Sequence, residues 1–424
     1  MQQGDDAYGA GTLPAGIRSR TVPGVNGITM HVLEAGYQEA GQPVGQEAGP
    51  ATGRPCVLLL HGFPELAYSW RKVMVPLAEA GYHVVAPDQR GYGRTDGTDV
   101  AYDDDLAPYT LLHHVRDALA LVYALGHRSV AAVVGHDYGS PVAAWCALVR
   151  PDVFRSVVLM SAPFDGPPAL PFNTASAAPA SSTAASTSST SAGGAASVSA
   201  ASPSSPARTI HDDLAALPVP RKHYQWYYAT RPANEDIWHP QQGVHDFLRA
   251  YYHMKSGDWE GNTPHPLADW TAPEVAKLPR YYVMDLDKNM AESVAPEMPS
   301  PEQIAACAWL PDDELRVYSA EYGRTGFQGG LQSYRVGTDP AYADELRLFA
   351  GRTIDVPACF IGGARDWGVH QRPGRLEQME QSACMQFRGA YLVAGAGHWV
   401  QQERPAEVSR LLLQFLRQQP APDE

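Results

Sequence analysis

The chain has 424 residues, is 44% hydrophobic and 18% charged, and carries a formal net charge of −14 with a pI near 5.5. That length and apolar content suit a globular protein with a large core and room for a second domain. The acidity, with no basic cluster to override it, argues against nucleic acid or an anionic membrane surface as a partner. Five scattered cysteines, Cys56, Cys146, Cys307, Cys359 and Cys384, form no Cys-x-x-Cys pair. They suit reduced thiols better than a disulfide framework or a zinc site. The first residues, Met1 to Asp6, lack an apolar signal region, and no apolar run approaches a membrane span. The expectation is a soluble, cytoplasmic protein.

Residues 1 to about 16 read as loosely attached. Two short alternating runs, Ile17–Val22 and Ile28–Leu33, flank the turn residues Pro23 to Gly27 and predict an antiparallel hairpin. Gly36–Gly53 is a polar, glycine-rich loop. Pro55–Leu60 reads as a buried strand running into His61-Gly62-Phe63-Pro64-Glu65. A helix over Ser69–Ala80 and a strand over Tyr82–Ala86 follow. Asp88–Asp96 is rich in glycine and charge but lacks the lysine and Ser/Thr of a phosphate-binding loop, so it reads as a structural loop ordered by Asp–Arg pairing. Tyr109–Leu125 has Leu112, Val115, Leu119 and Val122 at helical spacing. Its His113-His114 pair reads as surface and core-edge histidine. No metal-ligand spacing occurs in the chain, so no metal and no cofactor are expected.

Ser129–Ser140 carries the strongest local signal. A β-branched run ends in Gly135-His136-Asp137-Tyr138-Gly139, and an alanine-rich helix follows from Pro141. Strand, tight Gly-x-Asp-x-Gly turn and helix match the layout of a nucleophile elbow, with aspartate where esterases carry serine. Ser156–Ser161 is a further buried strand, and strand–helix alternation up to this point implies a mostly parallel sheet covered on both faces.

The pattern then breaks. Residues 174–207 are almost entirely Ala, Ser, Thr, Pro and Gly, a composition with nothing large to bury, and are expected to be disordered. Leu214 to about Arg347 is rich in Trp and Tyr with helical segments and no strong strand run, and reads as a helical cap closing over the sheet. Alternation resumes with the strand Val356–Gly363 followed by Asp366, the strand Ala390–Val393 followed by His398, and a closing helix with Val408, Leu411, Leu412, Phe415 and Leu416. Nucleophile, acid, histidine is the chain order of an α/β-hydrolase triad. The domains expected are core residues 1–163, a cap over 164–350 and core residues 351–424.

These motifs resemble the α/β-hydrolase-fold epoxide hydrolases from about Gly16 onward, the Ala/Ser/Thr tract excepted. The resemblance implies Asp137 as nucleophile, Asp366 and His398 as the activating pair, and two cap tyrosines that hold the epoxide oxygen. One lies in a Tyr-Gln pair, Tyr224-Gln225, and one in Gly326-Phe327-x-Gly329-x-Leu331-x-x-Tyr334-Arg335. The backbone N–H groups of Phe63 and Tyr138 are expected to form the oxyanion hole, although Tyr138 stands where many members carry tryptophan. Asp165 is a second candidate for the triad acid, ranked below Asp366. The implied partners are a small apolar epoxide and water, with a homodimer left open.

The chemistry stands without the name. A carboxylate is ionised at neutral pH and attacks a strained ring carbon without a base, whereas the departing alkoxide needs an acid that two phenols provide. A haloalkane or haloacid dehalogenase uses the same Asp–His–Asp set, but a halide leaves without an acid, so the two tyrosines tilt the reading to epoxides. A serine hydrolase is disfavoured by Asp137 in the elbow. A non-catalytic binding protein of this fold is the remaining alternative.

Overall fold

The computed structural model describes residues 8–9, 11–37, 53–168 and 208–419. The tract expected to be disordered, 174–207, lies outside the described residues, as does most of the 36–53 loop.

Eight strands form one sheet: β1 (Ile17–Val25), β2 (Ile28–Ala35), β3 (Cys56–Leu60), β4 (His83–Pro87), β5 (Ala132–His136), β6 (Val157–Met160), and, after a helical insertion carrying a small ribbon of β7 (Arg221–His223) and β8 (Val283–Asp285), β9 (Ile354–Gly363) and β10 (Cys384–Val393). The sheet order is β1-β2-β4-β3-β5-β6-β9-β10. Among the described residues of this sheet, only the β1–β2 and β2–β4 pairs are antiparallel. Because side chains alternate across a strand, β3 sends Val57 and Leu59 to one core and Cys56, Leu58 and Leu60 to the other. One core is closed by α1 (Arg71–Glu79) and the C-terminal helix Pro405–Arg417, the other by α2 (Leu111–Ala124) and α3 (Gly139–Val149). This is the α/β-hydrolase fold, with a mostly parallel sheet and an inserted, mostly helical cap.

Departures from expectation are local. In the hairpin, β1 runs on to Val25 through a bulge, and the turn is Asn26-Gly27, both with positive φ, which matches the strand twist. The helix over 69–80 begins with a 3-10 turn, Ala67–Trp70. β10 starts at Cys384 rather than Ala390; its first half is an edge stretch with Met385 exposed, so its pattern carries little apolar signal. The β7–β8 ribbon was not expected, because Arg-Lys-His has no strand-like composition. The Asp88–Asp96 loop is ordered by one Asp–Arg pair, as expected, and by further contacts outside it. Arg90 pairs with Asp117 of α2 and Arg94 with Glu321 of the cap, while Asp88 accepts from the backbone N–H groups of Ala67 and Arg94 and lies 2.7 Å from His31 Nδ1.

The cap helices Gly243–Lys255 and Asp312–Thr325 are fastened to the core by tyrosine hydroxyls. Tyr252 donates to the Pro64 carbonyl and Tyr322 to the Glu65 carbonyl, each at 2.9 Å, and Tyr318 meets Ser69 Oγ at 2.8 Å. A buried phenol needs such a partner, so these bonds fix where the cap sits over the carboxyl edge of the sheet. Among the described residues no helix is long and apolar enough to cross a membrane. All five cysteines are free.

Candidate active site

Asp137 follows β5 with φ +51, a conformation a non-glycine residue adopts only where its surroundings impose it. The bracketing glycines show why. A Cβ on Gly135 would strike the Gly139 carbonyl, and one on Gly139 would strike the Leu60 carbonyl. The turn is therefore packed backbone to backbone, and the aspartate side chain is the one that projects. Gly62 makes room for it: a Cβ there would meet Asp137 itself.

Asp137 Oδ1 accepts the Phe63 N–H at 2.9 Å, and Oδ2 stands 3.2 Å from His398 Nε2. That second approach is close but off the hydrogen-bond axis, so Nε2 keeps no aligned protein partner among the described residues. On the far side of the ring, Nδ1 faces both oxygens of Asp366 at 3.1 and 3.2 Å. Asp366 also accepts the Gly368 N–H at 2.7 Å, capping the short helix that follows β9. Asp165, the other acid considered, is tied instead to Arg375 at 3.0 Å. Tyr138 directly follows Asp137 and caps α3, so its backbone N–H belongs to a helix N-terminus.

Burial alone would raise the Asp137 pKa, but the His398 imidazole and the Lys255 ammonium outweigh it and hold the carboxyl well below its ordinary range. Asp366 is likewise pushed up by burial and brought down further by His398, the Gly368 N–H and Ser161. Both carboxylates are anionic at neutral pH.

Tyr224 begins the helix Tyr224–Tyr228, and Tyr334 lies on Gln328–Thr338. Their rings meet edge to face at 5.9 Å, and Tyr334 packs on Phe63 at 5.5 Å. The Gly329-Gly330 pair permits this approach, since a Cβ on the first would strike the Gly91 carbonyl and one on the second the Phe63 ring. Burial, then the charge of Asp137, raises both phenol pKa values, so both stay protonated and both feel the carboxylate.

Several buried polar residues support this set without being singled out by the sequence. His136 Nε2 lies 2.7 Å from the His398 carbonyl, while its Nδ1 faces Glu65 at 2.6 Å. Burial lowers the His136 pKa, but the charge of Glu65 overcomes it and leaves the value raised. Glu65 also accepts from the Gly62 N–H and from Gln401, so it ties the turn before Phe63 to the histidine loop. Its side chain thus orients the turn. Ser161 Oγ donates to the His398 carbonyl at 3.1 Å. Lys255 is buried among the rings of Tyr251, Tyr281, Tyr282 and Trp399, and its carbonyl accepts the His398 N–H at 2.8 Å.

The family model for the alpha/beta hydrolase fold matches residues 55–405. Epoxide hydrolase B of Mycobacterium tuberculosis is 31% identical over 372 residues, which is 87% of this chain and 93% of that protein. The chain belongs to the epoxide hydrolases of the α/β-hydrolase fold. An epoxide hydrolase of Caballeronia sordidicola is 30% identical over 392 residues, covering 92% of each chain. Among solved structures, an epoxide hydrolase from an endophytic Streptomyces superposes with a TM-score of 0.67 at 30% identity, covering 95% of this chain and 96% of that one. Potato epoxide hydrolase I gives 0.65 at 26% identity over 95% and 100%. The family-model span, 55–405, takes in the elbow, both later loops and the two cap tyrosines of this epoxide hydrolase.

Proposed function

We propose that the protein hydrolyses an epoxide to a vicinal diol through an ester on Asp137. The observation that carries the mechanism is the carboxylate suspended between the Phe63 N–H and His398, with two protonated phenols facing it. Oδ2, the oxygen free of the backbone, attacks a ring carbon. The C–O bond breaks towards the ring oxygen, which takes a proton from Tyr224 or Tyr334 as its charge develops. Oδ1 becomes the ester carbonyl oxygen, already in contact with the Phe63 N–H. His398 Nε2 then takes a proton from water, the hydroxide adds to Asp137 Cγ, and the oxyanion on Oδ1 is held by the N–H groups of Phe63 and Tyr138. Collapse expels the alkoxide, which takes the proton from His398 and leaves as the diol, and the proton left on the Asp137 carboxyl returns to the phenol that protonated the ring oxygen. Asp366 stabilises the imidazolium that forms between the two proton transfers.

In this reading residues 1–163 and 351–424 form the catalytic core, and 164–350 the cap that brings the acids. An aromatic cap lining suits a small apolar epoxide. Converting an electrophile into an inert diol suits detoxification, and free thiols suit the cytoplasm. A homodimer would sediment at twice the chain mass.

The test is a matched panel of epoxides and haloalkanes, scoring diol formation against halide release, with a Tyr224→Phe/Tyr334→Phe control. Diol without halide, lost in the control, is the expected result. Halide without diol, indifferent to the control, would make the protein a dehalogenase.

A further inference from the structure

A second polar cluster sits at the opposite, amino edge of the sheet. Cys56 opens β3 and His83 opens β4, and the two are register partners on neighbouring parallel strands, so their side chains leave the same face. His127 stands in the connection from α2 to β5. Their exposures are 1%, 3% and 3%. One ligand atom from each, a sulfur and two imidazole nitrogens, lies within 4.8 Å of the other two. Nothing in the epoxide chemistry uses them.

The hydrogen positions are constrained. His83 Nδ1 and His127 Nε2 are 2.8 Å apart, room for one shared hydrogen. On the other side of the His83 ring, Nε2 lies 3.3 Å from Glu34 Oε1. Glu34 is fully buried and held as an anion by Arg18 and Arg20. A fixed carboxylate facing Nε2 favours the tautomer with hydrogen on Nε2, which leaves the Nδ1 lone pair pointing at His127 and the cluster. Carboxylate, histidine, then a lone pair aimed into a Cys/His group is the arrangement by which proteins orient a metal-bound imidazole.

We propose that Cys56 Sγ, His83 Nδ1 and the His127 imidazole bind one divalent transition-metal ion of the zinc type, with Glu34 as the outer partner that orients His83. A thiolate and two imidazoles are a donor set that zinc accepts, with a water in the fourth tetrahedral position. Bonds of about 2.0–2.3 Å place ligand atoms roughly 3.3–3.8 Å apart, so the histidine pair opens by less than about 1 Å and the cluster closes slightly. On binding, the Cys56 S–H bond breaks, its proton goes to solvent and the sulfur pair goes to the metal. His127 moves the hydrogen it shares with His83 Nδ1 from Nε2 to its other ring nitrogen, and no oxidation state changes. The thiolate leaves the ion with one positive charge, set against Glu34. The ion would clip β3, β4 and the α2–β5 connection together, and spacing arguments miss it because the ligands come from three separate elements.

The experiment is titration of the chelator-stripped full chain with Co²⁺, followed by competition with Zn²⁺. The expected result is a near-ultraviolet thiolate-to-cobalt band with visible bands of a four-coordinate ion, saturating at about one equivalent and removed by zinc. Zinc should also raise Tm by several degrees. Cys56→Ser should lose the thiolate band, and Glu34→Gln should keep it while weakening affinity by about 10–100-fold. Diol formation should be unchanged in both variants. Absence of the band in the wild-type protein, or its survival in Cys56→Ser, overturns the site. Should Cys56→Ser fail to fold, His127→Gln serves instead, and cobalt affinity equal to wild type in it overturns the site equally.

Discussion

The two halves of the active site are built by different means. On the core side, Asp137, Asp366 and His398 stand on turns after strands, and short polar contacts fix each: the Phe63 and Gly368 N–H groups, the Lys255 carbonyl, and His136 and Ser161 on the His398 carbonyl. On the cap side, Tyr224 and Tyr334 are placed by ring packing, on each other, on Tyr228 at 5.7 and 5.1 Å and on Phe63. The hydrogen bond offered to the Tyr224 hydroxyl by Gln225 is long, at 3.4 Å. The difference has a chemical reason. Groups on which charge appears and disappears during the cycle are best held by fixed dipoles, which need no reorganisation. A phenol that must donate to a substrate oxygen is better held by its ring, because a strong protein acceptor would compete for the same hydrogen.

The sharpest way to separate the halves is His398→Gln. Attack by Asp137 needs no base, so the variant should still open the ring, while ester hydrolysis loses its base. Turnover should fall by about 10³-fold or more, with roughly one equivalent of epoxide consumed and a covalent adduct visible by intact mass. A variant that is slow without accumulating adduct would break the division, because the histidine would then be needed on the alkylation side.

The cap half is tested by the single tyrosine variants. Tyr224→Phe and Tyr334→Phe should each lower the single-turnover alkylation rate by about 10–100-fold, as each removes one of two donors to the same oxygen. Hydrolysis of the adduct should be little changed in either. If one variant alkylates at the wild-type rate, its phenol is a packing residue and the other supplies the proton.

The same contrast explains what was legible in the sequence. The core half was readable because its steric demands are written in glycines: Gly62, Gly135 and Gly139 sit where a Cβ would collide, and Asp137, Asp366 and His398 follow apolar strand runs. The cap half was reachable only through resemblance, since Tyr224 and Tyr334 are two of 21 tyrosines and ring packing has no short-range signature. His136 could have been found as a polar residue closing an otherwise apolar strand. Glu65, Ser161 and Lys255 could not have been given their partners, because each acts on a loop distant in sequence. The β7–β8 ribbon escaped for the opposite reason, as its three-residue strands are set by tertiary pairing, β7 against a charged composition.

Glu403 offers the smallest of these effects and a further test of how the core half is held. Its Oε2 accepts the N–H groups of Gly257 at 2.7 Å and Gly397 at 2.9 Å, and Oε1 accepts that of Trp399 at 3.0 Å, so it grips the loop on both sides of His398. Burial pushes its pKa up to about 7, against the three N–H groups that favour the anion. The unfolded chain releases this proton near pH 4.5. Between those values the folded state therefore holds a proton that the unfolded state has lost, and stability falls as pH rises. The contribution is fully present below about pH 4.5 and lost as pH passes 7, roughly 2–4 kcal/mol in all. Glu403→Gln removes that slope, and its amide turns an NH2 towards backbone donors, at a cost of about 1–3 kcal/mol. Urea unfolding at pH 5 and pH 8 measures both quantities: the variant should be less stable at pH 5 and closer to wild type at pH 8. Parallel pH profiles for the two proteins would mean that the three N–H groups keep Glu403 ionised throughout, and that the loop around His398 is held by a permanent charge like the rest of the core half.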